Sequence, residues 1–497
     1  MERLINKDNA PVSSFAEAIE SLNVNKLLSL ESQVIDRYIT LSGEEIRERQ
    51  QVLQDVLMTP QLENVLVQSL ESIAHLRDMN AKKRTYNEEI EQTLYSLLSL
   101  ELLIDAVNRL ADSYRDLQER LTSKRWHNFF AHFSAAQQSE EFGSAQTLLQ
   151  NVRKSVKTLK SVTLGVNLNA QLQPAEIGLV SLNDSYFTAR NLFTTLLKSD
   201  PGPIEYAAPL VTCADPAGAL ERSLYMTVNK NVCHTLKKSQ RALLRSLTDS
   251  LRPLFENGYE DISFLLKAAK GIKRLAAGYC FPTVSPGQMR LKDLYDPLLA
   301  ETIRSFELVK NDAAFSDEAP IYILNGANSG GKSVFVRAVG MAQILFQLGL
   351  AVPAAGAEMR IADGVYTHFP IAESHEHSQF VGECARMKTI LNQLTERSLL
   401  LMDETFSGTA SAEGAAVAFQ VLLHLQNRGC YCLFSTHMYE INTYLDLLNK
   451  RTPPIRSLHM ETVNGKRTYR VKEGLSDGQS YAYDIAKRYG LEFSEKI

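Results

Sequence analysis

A glycine-rich segment that ends in a lysine and a serine has the clearest chemistry in the sequence. It reads Gly326, Ala327, Asn328, Ser329, Gly330, Gly331, Lys332 and Ser333. The segment follows a strand-like run and precedes a helical pattern, so its backbone N–H groups would face an anion at a helix N-terminus. In such a loop the lysine contacts the β- and γ-phosphates of a nucleotide and the serine hydroxyl binds Mg²⁺. The motif therefore predicts a site for ATP and Mg²⁺.

Two acidic residues and a histidine end the next strand-like runs along the chain. Asp403 and Glu404 follow the apolar run 398–402, and His437 follows the run 433–436. Asp403 suits the outer coordination shell of Mg²⁺, and Glu404 suits the base that positions the attacking water. His437 would sense the γ-phosphate through a hydrogen bond, the alternative being a capping or solvated histidine. Together with Lys332 these residues predict an ATP hydrolase.

Ser378 begins a helical pattern shortly before the Asp403–Glu404 pair. A serine at this position is most often a helix cap. Because a helix N-terminus favours anions, it also suits a donor to a phosphate bound by another subunit. The residues alone leave both interpretations open.

The elements that must position these side chains alternate in type along the C-terminal half. Three short apolar runs alternate there with helical patterns, namely 321–324, 399–402 and 431–434. This alternation is typical of an α/β sheet. Asn464 and Gly465 lie between two extended segments and predict a hairpin. A terminal helix is expected from about residue 480.

The N-terminal half predicts mostly helices. A long helix is expected over residues 87–121 and a second over 223–250, with a small β-hairpin from 162–169 and 177–181 between them. Long helices with a small hairpin suggest a lever-like domain. We therefore expect two domains, a helical one over residues 1–275 and an α/β one over residues 276–497.

Composition excludes some classes of protein. The 497 residues carry a formal net charge of −4, so contact with DNA would have to come from local basic clusters. Such clusters occur at 153–160, 237–245 and 267–274, although solvated helix faces have the same spacing. No run of about 18 apolar residues is present, and no signal peptide precedes the first helix. With six scattered cysteines that we interpret as reduced, we expect a cytoplasmic protein without a membrane segment.

Several of these motifs resemble those of the MutS family of mismatch-repair ATPases. The phosphate loop is similar to G-P-N-x-G-G-K-S, and the stretch Asp403-Glu-Thr-Phe-Ser-Gly408-Thr409 to Gly414 is similar to D-E-x-G-R-G-T-S-x-x-[DE]-G. Thr436-His437 and Ser378-Gln-Phe380 match two further motifs in the same order. The resemblance is strong over residues 260–491 and weaker over the helical half.

The resemblance implies an ABC-like P-loop ATPase domain that works as a homodimer. It implies that Ser378 of one subunit completes the nucleotide site of the other, and that Leu308 packs on the adenine. It further implies that the mostly α-helical N-terminal domain, with its small β-hairpin, is a lever that embraces duplex or branched DNA and responds to the nucleotide state.

Departures from the family pattern narrow the expected function. Phe406 and Ser407 replace the usual Gly-Arg, and Ala327 replaces the loop proline. The N-terminal mismatch-reading domain, with its Phe-x-Glu tripeptide, and the connector domain are expected to be absent. Phe15-Ala-Glu17 matches the tripeptide, but Phe15 lies on an amphipathic pattern that favours core packing. We expect an ATP-dependent DNA-binding protein that does not read mismatches in the usual way; the alternative is a nucleotide-switched dimer that acts on a protein partner.

Overall fold

The computed structural model describes residues 4–5, 14–83, 89–157, 160–183, 211–212, 253–304, 307–326, 331–370, 379–463 and 466–475. The chain forms two compact units. One contains Met1–Arg3 and Gln61–Ile262 and is called the helical unit below. The other contains Leu4–Pro60 and Ser263–Ile497 and is called the sheet unit. This grouping differs from the expected boundary at residue 275, and the functional domains 1–275 and 276–497 stay a prediction.

The helical unit consists of long helices and one small sheet. Helix α5 (Pro60–Lys83) leads into it, and α6 (Glu89–Leu117), α7 (Lys124–Gln137) and α8 (Glu140–Lys157) follow. Strands β1 (Ser161–Leu168), β2 (Pro174–Asn183) and β3 (Val211–Thr212) form an antiparallel sheet. The structure therefore confirms the long helix near 87–121 and the hairpin. The helix expected over 223–250 lies outside the described residues.

Aromatic packing holds α6 and α7 together in this unit. Trp126, Phe129 and Phe130 of α7 are buried, and the Phe130 ring stacks on Tyr114 of α6 at 5.4 Å. Burial of each large side chain stabilises the folded chain by about 1.5–3 kcal/mol, so these rings contribute to holding the two helices against each other.

The N-terminal residues belong to the core of the sheet unit. They form α1 (Ala16–Ser21), α2 (Val24–Leu28), α3 (Ser32–Asp36) and α4 (Gly43–Met58). Phe15 is fully buried, which confirms the expected core packing. Arg49 of α4 is buried as well, and it donates to the backbone carbonyl of Tyr38 and pairs with Glu45 at 2.7 Å.

A six-stranded sheet forms the centre of the sheet unit, with the strand order β13-β12-β7-β11-β10-β9. All neighbours are parallel except β12 and β13, which form an antiparallel hairpin. The strands are β7 (Ile321–Asn325), β9 (Val365–His368), β10 (Leu399–Asp403), β11 (Tyr431–Thr436), β12 (Ile455–Val463) and β13 (Lys466–Glu473). The three predicted apolar runs are thus adjacent strands β7, β11 and β10.

Helices connect the strands of this sheet. They are α11 (Lys332–Gln347), α12 (Gln379–Gln393), α13 (Ser411–Arg428) and the short α14 (Leu445–Leu448), preceded by a 3₁₀ turn at Tyr439–Tyr444. Before the sheet, α9 (Pro253–Lys273) enters the unit and α10 (Pro297–Ala300) follows. The terminal helix expected from residue 480 lies outside the described residues.

A second, four-stranded sheet has the order β4-β8-β5-β6. Its strands are β4 (Thr283–Ser285), β5 (Gln288–Leu294), β6 (Asn311–Ser316) and β8 (Gly356–Arg360).

The register of the large sheet sets Asp403 opposite Ser435 and Thr436 opposite Asn325, so the carboxyl ends of β7, β10 and β11 meet at one edge. In the part of the chain that the structure describes, no helix is long and apolar enough to span a bilayer.

Candidate active site

The glycine-rich loop leaves the end of β7 and leads into α11. Gly326 follows the strand directly, whereas residues 327–330, which include Ala327, Asn328, Ser329 and Gly330, lie outside the described residues. Gly331 caps α11 with a φ of 94°, a left-handed conformation that favours glycine. A β-carbon at Gly326 would lie 3.1 Å from the side chain of Met460, and one at Gly331 would lie 3.3 Å from the ring of Tyr469. Both glycines thus allow the β12–β13 hairpin to approach the loop closely.

Lys332 is the first residue of α11, and its side chain is only 3% exposed. Its ammonium donates to the backbone carbonyl of Gly326 at 2.8 Å and lies 3.7 Å from Oε1 of Glu404. Burial lowers the pKa of Lys332, and the negative charges of Glu404 and Asp403 oppose this shift. The site therefore holds a cation among a carbonyl and two carboxylates.

Asp403 and Glu404 are fixed by the end of the neighbouring strand. Ser435 of β11 donates its hydroxyl hydrogen to Oδ1 of Asp403, and the backbone N–H of Glu404 donates to the carbonyl of Ser435 at 3.0 Å. Glu404 has a φ of 47°, a left-handed conformation in which the strand ends. The hydroxyl bond thus orients the Asp403 carboxylate, and the backbone bond fixes the turn that carries Glu404.

His437 follows β11 and lies beside Glu404. Its Nδ1 is 3.9 Å from Oε1 of Glu404. Among the residues that the structure describes, this buried nitrogen has no hydrogen-bond partner. The backbone N–H of Met438 donates to Thr436 Oγ1 at 3.0 Å, which fixes the turn that carries the histidine. The structure thus brings Lys332, Glu404 and His437 together.

A cavity of about 480 Å³ opens next to these side chains. Lys332, Ser333 and Glu404 line it beside the loop, a part called the polar end below. The rest of the lining includes Asp296, Glu307 and Asn311 and the apolar side chains of Leu308, Ile303, Leu299, Phe335 and Ala338. A cavity with charged groups beside an apolar lining suits a nucleotide, with phosphates at the charged groups and a base against the apolar side chains.

Two oxygen-bearing side chains are candidates for holding a magnesium ion. Ser333, with its hydroxyl, lines the cavity, and Asp403 ends β10 directly before the lining residue Glu404. Mg²⁺ prefers oxygen ligands and leaves most positions to phosphate and water. Ser378, the residue expected to act on the other subunit, lies outside the described residues. It directly precedes Gln379, the first residue of α12.

Tyr469, Met460 and Ser435 were not expected from the sequence. Tyr469 lines the cavity from β13 with a φ of 57°, and its backbone carbonyl accepts a hydrogen bond from Asn311 at 3.0 Å. The sequence predicted the hairpin that carries Tyr469 and Met460. It did not predict their contacts with the loop, because a hairpin pattern does not reveal which strand it pairs with. Ser435 stood in a motif next to Thr436-His437, but its contact with Asp403 depends on the strand order.

Comparison with known proteins gives matches over most of the chain. Residues 322–496 match the family model of MutS domain V, and residues 42–250 match that of the MutS2 N-terminal domain. The DNA mismatch repair protein MutS of Thermotoga petrophila is 27% identical over 326 residues, which are 64% of this chain and 38% of that protein. The protein of the same name from Prochlorococcus marinus is 35% identical over 201 residues, 39% of this chain and 22% of its own. The chain therefore spans about two fifths or less of the length of these relatives.

Proposed function

The chain belongs to the MutS family, and from this premise we propose that it binds ATP with Mg²⁺ in the cavity beside Lys332 and hydrolyses it. The observation that carries the proposal is the buried ammonium of Lys332, which lies 3.7 Å from the carboxylate of Glu404 beside a cavity that also has a large apolar lining. A buried cation is stabilised by negative partners, and triphosphate oxygens would act in this way alongside Glu404 and Asp403.

Each residue at the polar end has a distinct task in this proposal. Lys332 binds the β- and γ-phosphate oxygens, while the backbone of the loop that ends at Gly331 wraps around them. Ser333 and Asp403 hold Mg²⁺, which neutralises phosphate charge when it is bound. Ser435 keeps Asp403 in the orientation that this requires, since its hydroxyl occupies one carboxylate oxygen. Leu308 and Tyr469 bound the space left for the base.

Glu404 acts on the water molecule and His437 on the γ-phosphate. The carboxylate of Glu404 accepts a hydrogen bond from the attacking water and so orients it for in-line attack. Nδ1 of His437 lies beside the same carboxylate and still has hydrogen-bonding capacity towards the described residues. It therefore suits a contact that forms only when the γ-phosphate is present.

A substitution at Glu404 tests this assignment. In Glu404→Gln we expect ATP turnover to fall by about 10²–10⁴-fold, because the amide is a poor base, while ATP binding is retained. Steady-state phosphate release and the affinity for a fluorescent ATP analogue measure the two effects. Glu318→Gln, in the exposed turn before β7, is the matched control. Unchanged turnover in Glu404→Gln would remove Glu404 from the mechanism.

We also propose a homodimer in which Ser378 of each subunit completes the site of the other. The proposal is supported by the position of Ser378 directly before α12, where a helix N-terminus favours a phosphate. A mixing experiment tests it. Lys332→Met and Ser378→Ala subunits should each be inactive alone, whereas a mixture should regain activity, because a mixed dimer holds one intact site. A mixture as inactive as its parts contradicts the shared site.

The levers are proposed to embrace duplex or branched DNA, so that nucleotide state and DNA binding are linked. Lys267 and Lys270, two exposed lysines in the part of α9 that belongs to the sheet unit, suit further phosphate contacts, whereas Arg274 is engaged by Glu301 at 2.7 Å. Neutralised phosphates would make the binding weaken steeply with salt. Charge reversal at both lysines should weaken DNA binding at low salt, and Lys450→Glu, an exposed lysine just after α14, is the control. If no DNA alters turnover or binds at low salt, the DNA proposal fails.

Usual mismatch reading is not part of the proposal. Phe15, which lies in the only Phe-x-Glu tripeptide among the described residues, is fully buried in the sheet unit and is not exposed for insertion between bases. Matched and mismatched duplexes should therefore alter ATP turnover equally. A clear preference for the mismatch would show that another residue acts as a wedge.

One observation favours the alternative, a nucleotide-switched dimer that acts on a protein. The β1–β2 hairpin contains neither lysine nor arginine over residues 161–183, and it exposes Val166, Leu168 and Leu172. An apolar tip without positive charge suits a protein surface better than a phosphate backbone. Dimerisation that depends on ATP but shows no response to DNA would favour this function over the first.

A further inference from the structure

A buried histidine at the end of β9 connects two parts of the proposed active site. Nε2 of His368 lies 3.0 Å from the backbone carbonyl of Glu383, and Nδ1 lies 3.1 Å from the hydroxyl of Thr405. A carbonyl only accepts, so Nε2 carries the hydrogen and donates. Burial, reinforced by the nearby charge of Arg386, lowers the pKa of His368 to about 4. The ring is therefore neutral near pH 7, and Nδ1 accepts from Thr405.

The first contact reaches the turn that carries Glu404. Thr405 directly follows Glu404 and is buried, and its hydroxyl also lies 3.2 Å from the backbone carbonyl of His368. Both neighbours are acceptors and the hydroxyl has one hydrogen, so this hydrogen is shared between Nδ1 and the carbonyl, two acceptors that belong to the same residue. A shift of the Glu404 turn away from β9 would lengthen both contacts.

The second contact reaches α12. Glu383 lies in the second turn of that helix, and Arg386 one turn later donates to the backbone carbonyl of Phe369 at 2.6 Å. Two side chain–backbone bonds therefore fasten the first half of α12 to the end of β9. The residue before this helix is Ser378, to which the proposed function gives a role in the other subunit's site.

Aromatic packing by Phe406 adds a third set of contacts between the Glu404 turn, β9 and α12. Phe406 is 1% exposed, and its ring centroid lies 6.0 Å from that of His368 and 6.3 Å from that of Phe380 on α12. The backbone of Phe406 has a φ of 64°. A non-glycine residue rarely adopts this left-handed conformation, so surrounding contacts must hold it there.

We propose that His368 is a positioning residue that couples the Glu404 turn to α12 through Thr405 on one side and the Glu383 carbonyl on the other. The inference rests on the proposed function, because it gives Glu404 and Ser378 the roles assigned above. The coupling makes the orientation of the hydrolytic carboxylate depend on where α12 stands, and therefore on whether a second subunit holds that helix. A histidine that only filled the core would stabilise the fold without linking the two segments.

Matched substitutions at Thr405 test the coupling with little change in volume. Thr405→Val removes the hydroxyl, and Thr405→Ser keeps it. We expect kcat for ATP to fall about tenfold in Thr405→Val, the value of one buried hydrogen bond, with the affinity for nucleotide within twofold of the wild type. Thr405→Ser should restore most of kcat. Equal kcat values in the two variants would overturn the proposal.

Two substitutions of His368 separate its two contacts. Asn places an acceptor near the position of Nδ1 and keeps the Thr405 contact, whereas Gln places a donor near the position of Nε2 and keeps the Glu383 contact. Each should lower kcat, and adding Thr405→Val to His368→Gln should lower it by less than Thr405→Val does alone, because the ring contact is already lost and only the contact with the backbone carbonyl of residue 368 remains. Additive losses would overturn the coupling. His424→Gln on α13 is the control for a histidine substitution away from this junction.

Hydrogen exchange in the nucleotide-free protein provides a test that does not need turnover. Thr405→Val, but not Thr405→Ser, should speed amide exchange in the first half of α12, although Thr405 lies on another segment. Unchanged exchange in α12 would overturn the coupling even if kcat fell. Should the wild type hydrolyse no ATP, the proposed function fails, and the exchange result still decides whether His368 joins the two segments.

Discussion

Truncation of Phe406 gives a direct test of the strained turn beside Glu404. Phe406 is buried and left-handed, with a φ of 64°. Replacement of a buried phenylalanine by a small residue costs about 3–5 kcal/mol of unfolding free energy. Phe406→Ala and Phe406→Gly both lose the ring contacts with His368 and Phe380, so both variants should have this cost.

The difference between these two variants isolates the backbone. The left-handed conformation lowers the unfolding free energy of the alanine variant by about 1–2 kcal/mol, whereas glycine adopts this conformation freely. The unfolded chain has fewer conformations with alanine than with glycine, and this raises the unfolding free energy of the alanine variant by about 0.4–1 kcal/mol. We therefore expect Phe406→Gly to be more stable than Phe406→Ala by about 1 kcal/mol, the reverse of the usual order of the two residues.

Urea unfolding followed by circular dichroism measures this order. Phe434, a buried residue of the extended strand β11, provides the reference, and there the alanine variant should be the more stable one. If the alanine variant has the higher unfolding free energy at both positions, the interpretation that the turn at Phe406 is strained and held by side-chain packing is refuted.

Three further predictions concern the same site. Gly414→Ala would bring a β-carbon within 2.6 Å of the Phe406 carbonyl and 2.9 Å of Met438 Sδ, so we expect a loss of about 1–3 kcal/mol in urea unfolding. Lys332→Met keeps an unbranched side chain but removes its charge, and ATP affinity measured by titration should fall about 10- to 100-fold. His368, whose pKa is lowered from 6.5 to about 4 by burial, contributes stability above pH 6.5 that is lost as the pH falls towards 4. His368→Gln should therefore flatten the dependence of unfolding free energy on pH across that window, by at most about 3 kcal/mol.

The sequence predicted those parts of the site that are local in the chain. The strand before Gly326, the helix after Lys332 and the strand that ends at Asp403 all follow from apolar runs and motif spacing. The proximity of Lys332, Glu404 and His437 also followed, because the ends of parallel strands share one edge of a sheet.

Contacts between segments that are distant in the chain could not be predicted from the sequence in the same way. The β12–β13 hairpin was predicted, but its parallel pairing with β7, which brings Tyr469 and Met460 to the loop, has no signal in a single sequence. Residues 14–60 show helical patterns that do not reveal which core they join. His368 belongs to none of the motifs identified in the sequence. Its contact with Thr405 depends on the pairing of β9 with β10.

The ion pair between Lys332 and Glu404 sets an order of events. Without nucleotide, the ammonium neutralises the charge of the carboxylate to which we assign the orientation of water. In the proposed function a triphosphate would compete for the same ammonium, so its arrival would release Glu404 when there is a bond to cleave. The carboxylate is thereby kept occupied until substrate is present, and a Glu404→Gln protein, freed of this competition, should hold ATP more tightly than the wild type even as it fails to hydrolyse it.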